Sequence, residues 1–202
     1  MRQNSLCGTS KVSDTELAAL SFAREFFSGD ASGHDFYHTE RVYKTALRLA
    51  EQEGADREIV ALAALLHDVD DRKISPGTSE TKKNAADFLI SHGVCEEKTA
   101  RILEIIGDVS FSGGRVPRSL EGKCVQDADR LDAIGAVGIA RACAYGGSRG
   151  RAICDPENIS DSSAGHFYDK LLKLRDLMNT ASARDSAGAR LFHARFSRRV
   201  LR

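Results

Sequence analysis

Apolar residues recur along this chain at intervals of three and four, and no long stretch alternates in twos. That is the periodicity of helices packed on one another. Ser13-Asp14-Thr15-Glu16 reads as a capping box, with Ser13 as cap and Glu16 reaching back. It opens a first helix carrying Leu17, Leu20 and Phe27, which Gly29 and Gly33 bring to an end. A second helix is predicted over 36–53, with Val42, Ala46, Leu49 and Ala50 inward and Gly54 as its stop. Asp56 is placed to cap a third, built on Ile59, Leu62, Ala63, Leu65 and Leu66. After a turn at Ser75-Pro76-Gly77, a fourth helix is expected to open at Thr78 or Ser79 and close at Gly93. A fifth covers roughly 96–106, and the loop from Ser110 to Arg115 is polar and Gly-rich. Ser119 is expected to cap a long sixth helix ending near Gly146-Gly147, with Gly135 and Gly138 inside it. Glycine there costs about 1 kcal/mol each relative to alanine, which points to close helix packing. A Gly- and Arg-rich loop follows, then a seventh helix over about 163–178 and an amphipathic, Arg-rich last helix over about 183–200. The pattern predicts an all-α, single-domain helical bundle over 13–202, preceded by a flexible tail, 1–12.

Composition adds exclusions. At 202 residues the chain is long enough to bury a core without staples. Lys+Arg and Asp+Glu are 29 each, so global charge gives no reason to expect a long nucleic acid or an anionic membrane as partner. No apolar run approaches the roughly 20 residues of a membrane span, and the N-terminus lacks the apolar centre of a secretory signal. Cys7, Cys95, Cys124, Cys143 and Cys154 are scattered and form no CxxC pair, as suits reduced thiols and a cytoplasmic location. The Arg-rich last helix is the expected contact surface of any homodimer.

One stretch strains this picture. Ala61-Leu62-Ala63-Ala64-Leu65-Leu66 runs straight into His67-Asp68-Val69-Asp70-Asp71. Charge at the end of a buried helix is costly unless it is paired or bound to a metal. Four candidate ligands follow in order: His38, His67, Asp68 and Asp129. Imidazole and carboxylate together suit one divalent cation of the Mn, Mg, Fe, Ni or Zn type. Helices around a core can direct such groups to one point. Adjacent residues on a helix diverge by about 100°, so His67 and Asp68 can share an ion only at a helix end. Taken singly, a His reads more readily as a structural or surface residue, and an Asp as a cap or a solvated side chain.

The flanks of these residues carry a resemblance. His38-Thr39-Glu40-Arg41-Val42, the His67-Asp68 doublet and Ala128-Asp129-Arg130-Leu131 resemble the HD superfamily of metal-dependent phosphohydrolases. The wider stretches His34–His38 and Val125–Ala136, with Lys170–Leu174 and Asn179, are similar to a bacterial subgroup of small HD hydrolases. The likeness covers nearly everything from Ala31 to Asn179. It implies that His38, His67, Asp68 and Asp129 bind a divalent metal inside a helical bundle. It selects Asp129 over Asp127, which lies about 200° away on a helix and reads as structural. Asp132 shares the face of Asp129; it reads equally as a hydrogen-bond partner of a ligand and as one half of a surface pair with arginine.

What the resemblance implies for chemistry is attack of water on a phosphate ester or anhydride, assisted by Asp68 as ligand. Asp71 stands where some HD hydrolases of nucleotides carry an acidic residue, which makes it the candidate proton-transfer group, with Asp70 second. Both read as well as caps or turn formers. Lys73 is the first candidate for phosphate contact. Arg41, one helical turn from His38, should border the same site, and Arg149 in the loop 146–151 could join a phosphate-receiving nest. His34 and His166 are candidates for the mouth; His92 and His193 read as surface residues. The substrate class expected is small phosphorylated compounds, nucleotides first, with triphosphate pyrophosphohydrolysis one possibility. A phosphodiesterase and a non-catalytic metal-dependent nucleotide sensor are the alternatives, and a two-iron oxygenase is a more distant one.

Overall fold

The computed structural model of the protein describes residues 12–29, 35–109 and 115–189. Among them every regular element is helical: α1 (Asp14–Phe26), α2 (Phe36–Glu53), α3 (Arg57–Leu66), α4 (Lys83–Ser91), α5 (Glu96–Val109), α6 (Leu120–Asp132), α7 (Ala136–Ser148), α8 (Ser163–Asp169) and α9 (Ala181–Ala189). Two 3-10 segments, Ile159–Asp161 and Leu171–Leu177, complete the path.

α3 is the axis of the fold. Every residue from Ile59 to Leu66 is buried, and α1, α2, α5 and α6 pack around it. A short helix apolar on all sides can be stable only when surrounded in this way. α2 and α6 also pack on each other, and these two helices carry His38 and Asp129. Glu16 of α1 is 2% exposed and fastens the first three helices together. It accepts hydrogen bonds from Arg57 Nη1 and Nη2 at 2.7 and 2.8 Å and from the Tyr43 hydroxyl.

Local signals placed three helix starts and one helix end. The Ser13–Glu16 capping box is present, Asp56 accepts from the amides of Glu58 and Ile59, Ser119 accepts from Gly122, and Gly54 ends α2 at φ 76°. Other boundaries differ from expectation. The long sixth helix is two helices, α6 and α7, because Gly135 takes φ 93°. The backbone folds back so tightly there that a Cβ on Gly138 would lie 2.1 Å from the carbonyl oxygen of Ala133. Those glycines mark a break between helices, not a packing face within one. α4 opens at Lys83 instead of Thr78 or Ser79, because its cap is remote: the Asp70 carboxylate accepts from the amides of Asn84 at 3.2 Å and Ala85 at 2.9 Å. The seventh helix divides at Lys170, whose φ of −130° leaves the helical region, into α8 and the second 3-10 segment. α5 runs on to Val109, three residues beyond expectation. The last helix begins at Ala181, two residues early. Its remainder and most of the tail lie outside the described residues.

Candidate metal centre

His38 stands in the first turn of α2, where Asp35 caps the helix by accepting from the His38 amide at 2.8 Å. α3 ends at Leu66, so His67 and Asp68 leave the helix together and need not diverge as they would within it. Asp129 comes from the last turn of α6. The structure brings these residues to one point. A nitrogen each from His38 and His67 and an oxygen from Asp129 lie within 4.8 Å of one another. Asp68 Oδ2 is 3.4 Å from His38 Nε2 and 3.2 Å from His67 Nε2, and Asp129 Oδ1 is 3.5 Å from His38 Nε2.

Both imidazoles are oriented from behind. His67 Nδ1 donates to the Ala64 carbonyl at 2.8 Å, which turns Nε2 inward. Among the described residues that inward nitrogen is buried without a geometric hydrogen-bond partner, its nearest neighbour being the Asp68 carboxylate at 3.2 Å. An orphaned imidazole nitrogen between carboxylates is a fitting donor for a cation. The electrostatics agree. Burial alone would lower the His67 pKa, yet the charges of Asp68 and Asp129 raise it to about 9. Asp68 is held well below the usual carboxylate range: burial opposes this, but the two histidines outweigh it. The point where the four side chains meet therefore attracts positive charge, either a proton or a metal. Asp129 is 31% exposed and opens the centre to a cleft.

That cleft, of about 1100 Å³, has the His38, His67, Asp68 and Asp129 cluster in its wall, facing residues from α7, α8 and the turns between α3 and α4. Of the residues expected at the site, Asp71, Lys73 and His166 line it. Asp71 Oδ1 accepts from the Lys73 amide at 2.8 Å. Asp70 does not take part: it is fully buried and caps α4. Arg41 corrects the expectation that it borders the cleft. Its Nε lies 2.6 Å from Asp132 Oδ1, and it lines a separate small pocket of about 390 Å³. Arg149 is exposed, and its guanidinium sits 5.5 Å from the ring of Tyr145, outside the cleft lining. His34 lies outside the described residues. His92, expected at the surface, is exposed, with its ring stacked on Phe88 at a centroid distance of 4.1 Å. Asp127 is fully buried and accepts from Asn179 and Thr180, which gives the Asn179 signature a structural reason.

Sequence reasoning missed much of the opposite wall: Arg72, Lys82, Arg115, Arg141, Tyr145 and, from the break after α8, Lys170. Burial lowers the Lys170 pKa; Asp129 opposes this, while Lys73 and Arg141 add to it. Burial, Lys170 and Lys73 lower the His166 pKa from its ordinary 6.5. The Lys170–Leu174 stretch was the available signal, but only packing shows which lysine faces the cleft.

Comparison with known proteins meets this geometry. The HD domain family matches residues 35–134. YpgQ of Bacillus subtilis (strain 168) is 42% identical over 173 residues, covering 84% of this chain and 83% of that protein. The crystal structure of B. subtilis YpgQ in complex with ADP superposes with a TM-score of 0.75 at 36% identity, over 92% of this chain and 95% of that one. An HD-superfamily hydrolase from Bacillus thuringiensis gives a TM-score of 0.76 at 44% identity, over 93% and 95%. With helices, cluster and relatives in agreement, the chain belongs to the HD-domain superfamily of metal-dependent phosphohydrolases.

Proposed function

We propose that this chain hydrolyses a small nucleotide at the cleft, with one divalent metal ion held by His38, His67, Asp68 and Asp129. The observation that carries this reading is the pairing of two features. A four-residue donor cluster, its two imidazoles buried and one of their nitrogens orphaned among the described residues, sits in one wall of the cleft, and Lys73, Arg141 and Lys170 line the same cleft. A bound metal supplies Lewis acidity toward a phosphoryl oxygen and a lowered pKa for water. The remaining demands of phosphoryl transfer are positioning and neutralisation of charge.

The chain's own residues meet those demands. Lys73, Arg141 and Lys170 neutralise the phosphate oxygens. Asp71 takes the proton from the attacking water; its Oδ1 is steadied by the Lys73 amide and its Oδ2 accepts no hydrogen bond from the described residues. Water adds to phosphorus, the P–O bond to the leaving group breaks, and the proton held at Asp71 returns to solvent. Tyr145 gives the wall an aromatic ring of the kind on which a nucleobase stacks. The ADP in the YpgQ crystal supports a nucleotide as ligand here too.

The test is a screen of the manganese-, zinc- and magnesium-loaded chain against nucleoside mono-, di- and triphosphates, cyclic nucleotides and simple phosphate esters. Turnover of a nucleotide that is lost in Asp129→Ala supports the reading. Turnover confined to diesters moves the chain to a phosphodiesterase. Tight nucleotide binding with no turnover in any metal form makes it a sensor.

A further inference from the structure

Asp132 is 6% exposed and sits behind the metal cluster, on the far side of His38 from Asp68 and Asp129. Its carboxylate is shared by three side chains, two from α2 and one from α7. His38 Nδ1 lies 2.8 Å from Oδ2. Arg41 of α2 donates from Nε to Oδ1 at 2.6 Å and from Nη2 to Oδ2 at 3.1 Å. Arg141 of α7 donates from Nη1 to Oδ2 at 2.7 Å. A carboxylate gripped by two guanidiniums is an acceptor at every contact. The imidazole must then be the donor at this contact, so Nδ1 of His38 carries a proton and Nε2 is the nitrogen turned toward Asp68 and Asp129. His67 is arranged in the same sense by a different group, the Ala64 carbonyl. The difference is one of reach: a backbone acceptor is built into the helix, whereas Asp132 must itself be held.

We infer that Asp132 is a positioning residue of the metal centre, fixing the Nδ1–H tautomer and ring orientation of His38, with Arg41 and Arg141 as the clamps that hold its carboxylate in place. Arg141 also lines the cleft, so one carboxylate fixes both a metal ligand and a cation of the opposite wall. The inference rests on the metal reading of the four donors, and its test separates the two.

The experiment uses the full chain and zinc, a diamagnetic probe. Zinc affinity is measured by competition with a chelator for the wild type, Asp132→Asn and Arg41→Ala, and the 15N shifts of the His38 ring are read in the zinc-loaded wild type, assigned by comparison with His38→Gln. Asp132→Asn should raise the zinc Kd roughly 10- to 100-fold, the usual scale for groups that orient a metal-bound imidazole. Arg41→Ala should raise it less, because Arg141 still holds the carboxylate. The wild-type shifts should show a protonated Nδ1 and a zinc-bound Nε2. A merely structural Asp132 would lower the melting temperature and leave the zinc Kd unmoved. A Kd for Asp132→Asn within twofold of wild type, or a larger rise in Arg41→Ala than in Asp132→Asn, overturns the inference while the metal reading stands; a proton found on Nε2 overturns the inference and removes His38 from the ligand set as well. The shift measurement needs no foldable variant at position 132. A wild-type chain that takes up no zinc overturns both readings.

Discussion

Two stretches of this chain carry three aspartates each. The turn after α3 has Asp68, Asp70 and Asp71; the C-terminal half of α6 has Asp127, Asp129 and Asp132. Both are sorted in the same way. One member of each trio faces the two histidines, Asp68 and Asp129. One is fully buried and caps a helix start remote in sequence: Asp70 at α4, Asp127 just before α9. The third members part company. Asp71 lines the cleft, while Asp132 lies behind His38 under two arginines. Residue type does not set these fates, since all six are identical. What lies within reach does: an imidazole, an exposed row of helix amides, a guanidinium, or solvent.

The comparison breaks first at Asp68 and the histidine beside it. Replacing His67 and Asp68 together by alanine should remove bound metal and lower hydrolysis roughly a thousandfold or more, because both the Lewis acid and its charge balance go. Metal content and turnover are measured on the same preparation. Full activity in that double variant would show that the cluster is not where the chemistry happens.

The capping pair should respond in stability. Asp127 accepts from the Asn179 amide and side chain and from the Thr180 amide and hydroxyl. Asp127→Ala strands these donors and should cost on the order of 3 kcal/mol in urea unfolding. Asp70→Ala should cost about 2 kcal/mol, as it strands only the α4 amides. Equal, negligible losses in both would mean that water replaces these carboxylates and that the sorting has no energetic basis.

These two caps also show what the sequence could and could not disclose. α2 was legible from end to end because its stop signal is Gly54, the next residue. α3 was legible because its cap Asp56 immediately precedes it. α4 was misplaced because Asp70 caps it from fourteen and fifteen residues away, and a local search for Ser, Thr or Asp settles on the wrong turn. The α6–α7 break was hidden because apolar spacing continues across Gly135; only its positive φ interrupts the helix. The four ligand candidates were named through their order and flanks. Arg41 was misread because one helical turn from His38 suggests proximity to the cleft, whereas the side chain turns to Asp132. Lys170, Arg141 and Tyr145 face the cleft through the packing of α7 and α8, which no pattern within those helices announces.

The third members offer a finer test. Asp71→Asn preserves shape and an oxygen able to accept the Lys73 amide. It should keep metal content and lower turnover roughly a hundredfold, the usual scale for one general base. Asp132→Asn should do the opposite in emphasis, loosening metal first. If both variants lose metal equally and neither shows a defect at saturating metal, the distinction between cleft-facing and buttressing aspartates is void.

A carboxylate outside both stretches supplies the smallest and most controlled comparison. Glu16 is as buried as the caps, but its partners remote in sequence are the Arg57 and Tyr43 side chains, with only the neighbouring Ser13 amide added by the capping box. Burial would raise its pKa; the Arg57 and Tyr43 hydrogen bonds and the Arg57 charge outweigh this and lower it from 4.5. A folded pKa below the unfolded one means that the unfolded chain takes up the proton first. Glu16 therefore contributes its full linkage stability above pH 4.5, and that contribution drains away as pH falls through the depressed folded pKa. Unfolding free energy measured between pH 6 and 3 on the metal-free chain should fall with acid, and Glu16→Gln should show a shallower fall below 4.5 than wild type. Parallel acid limbs would mean that Glu16 keeps its proton affinity on folding, and that its hold on α1, α2 and α3 is one of shape alone.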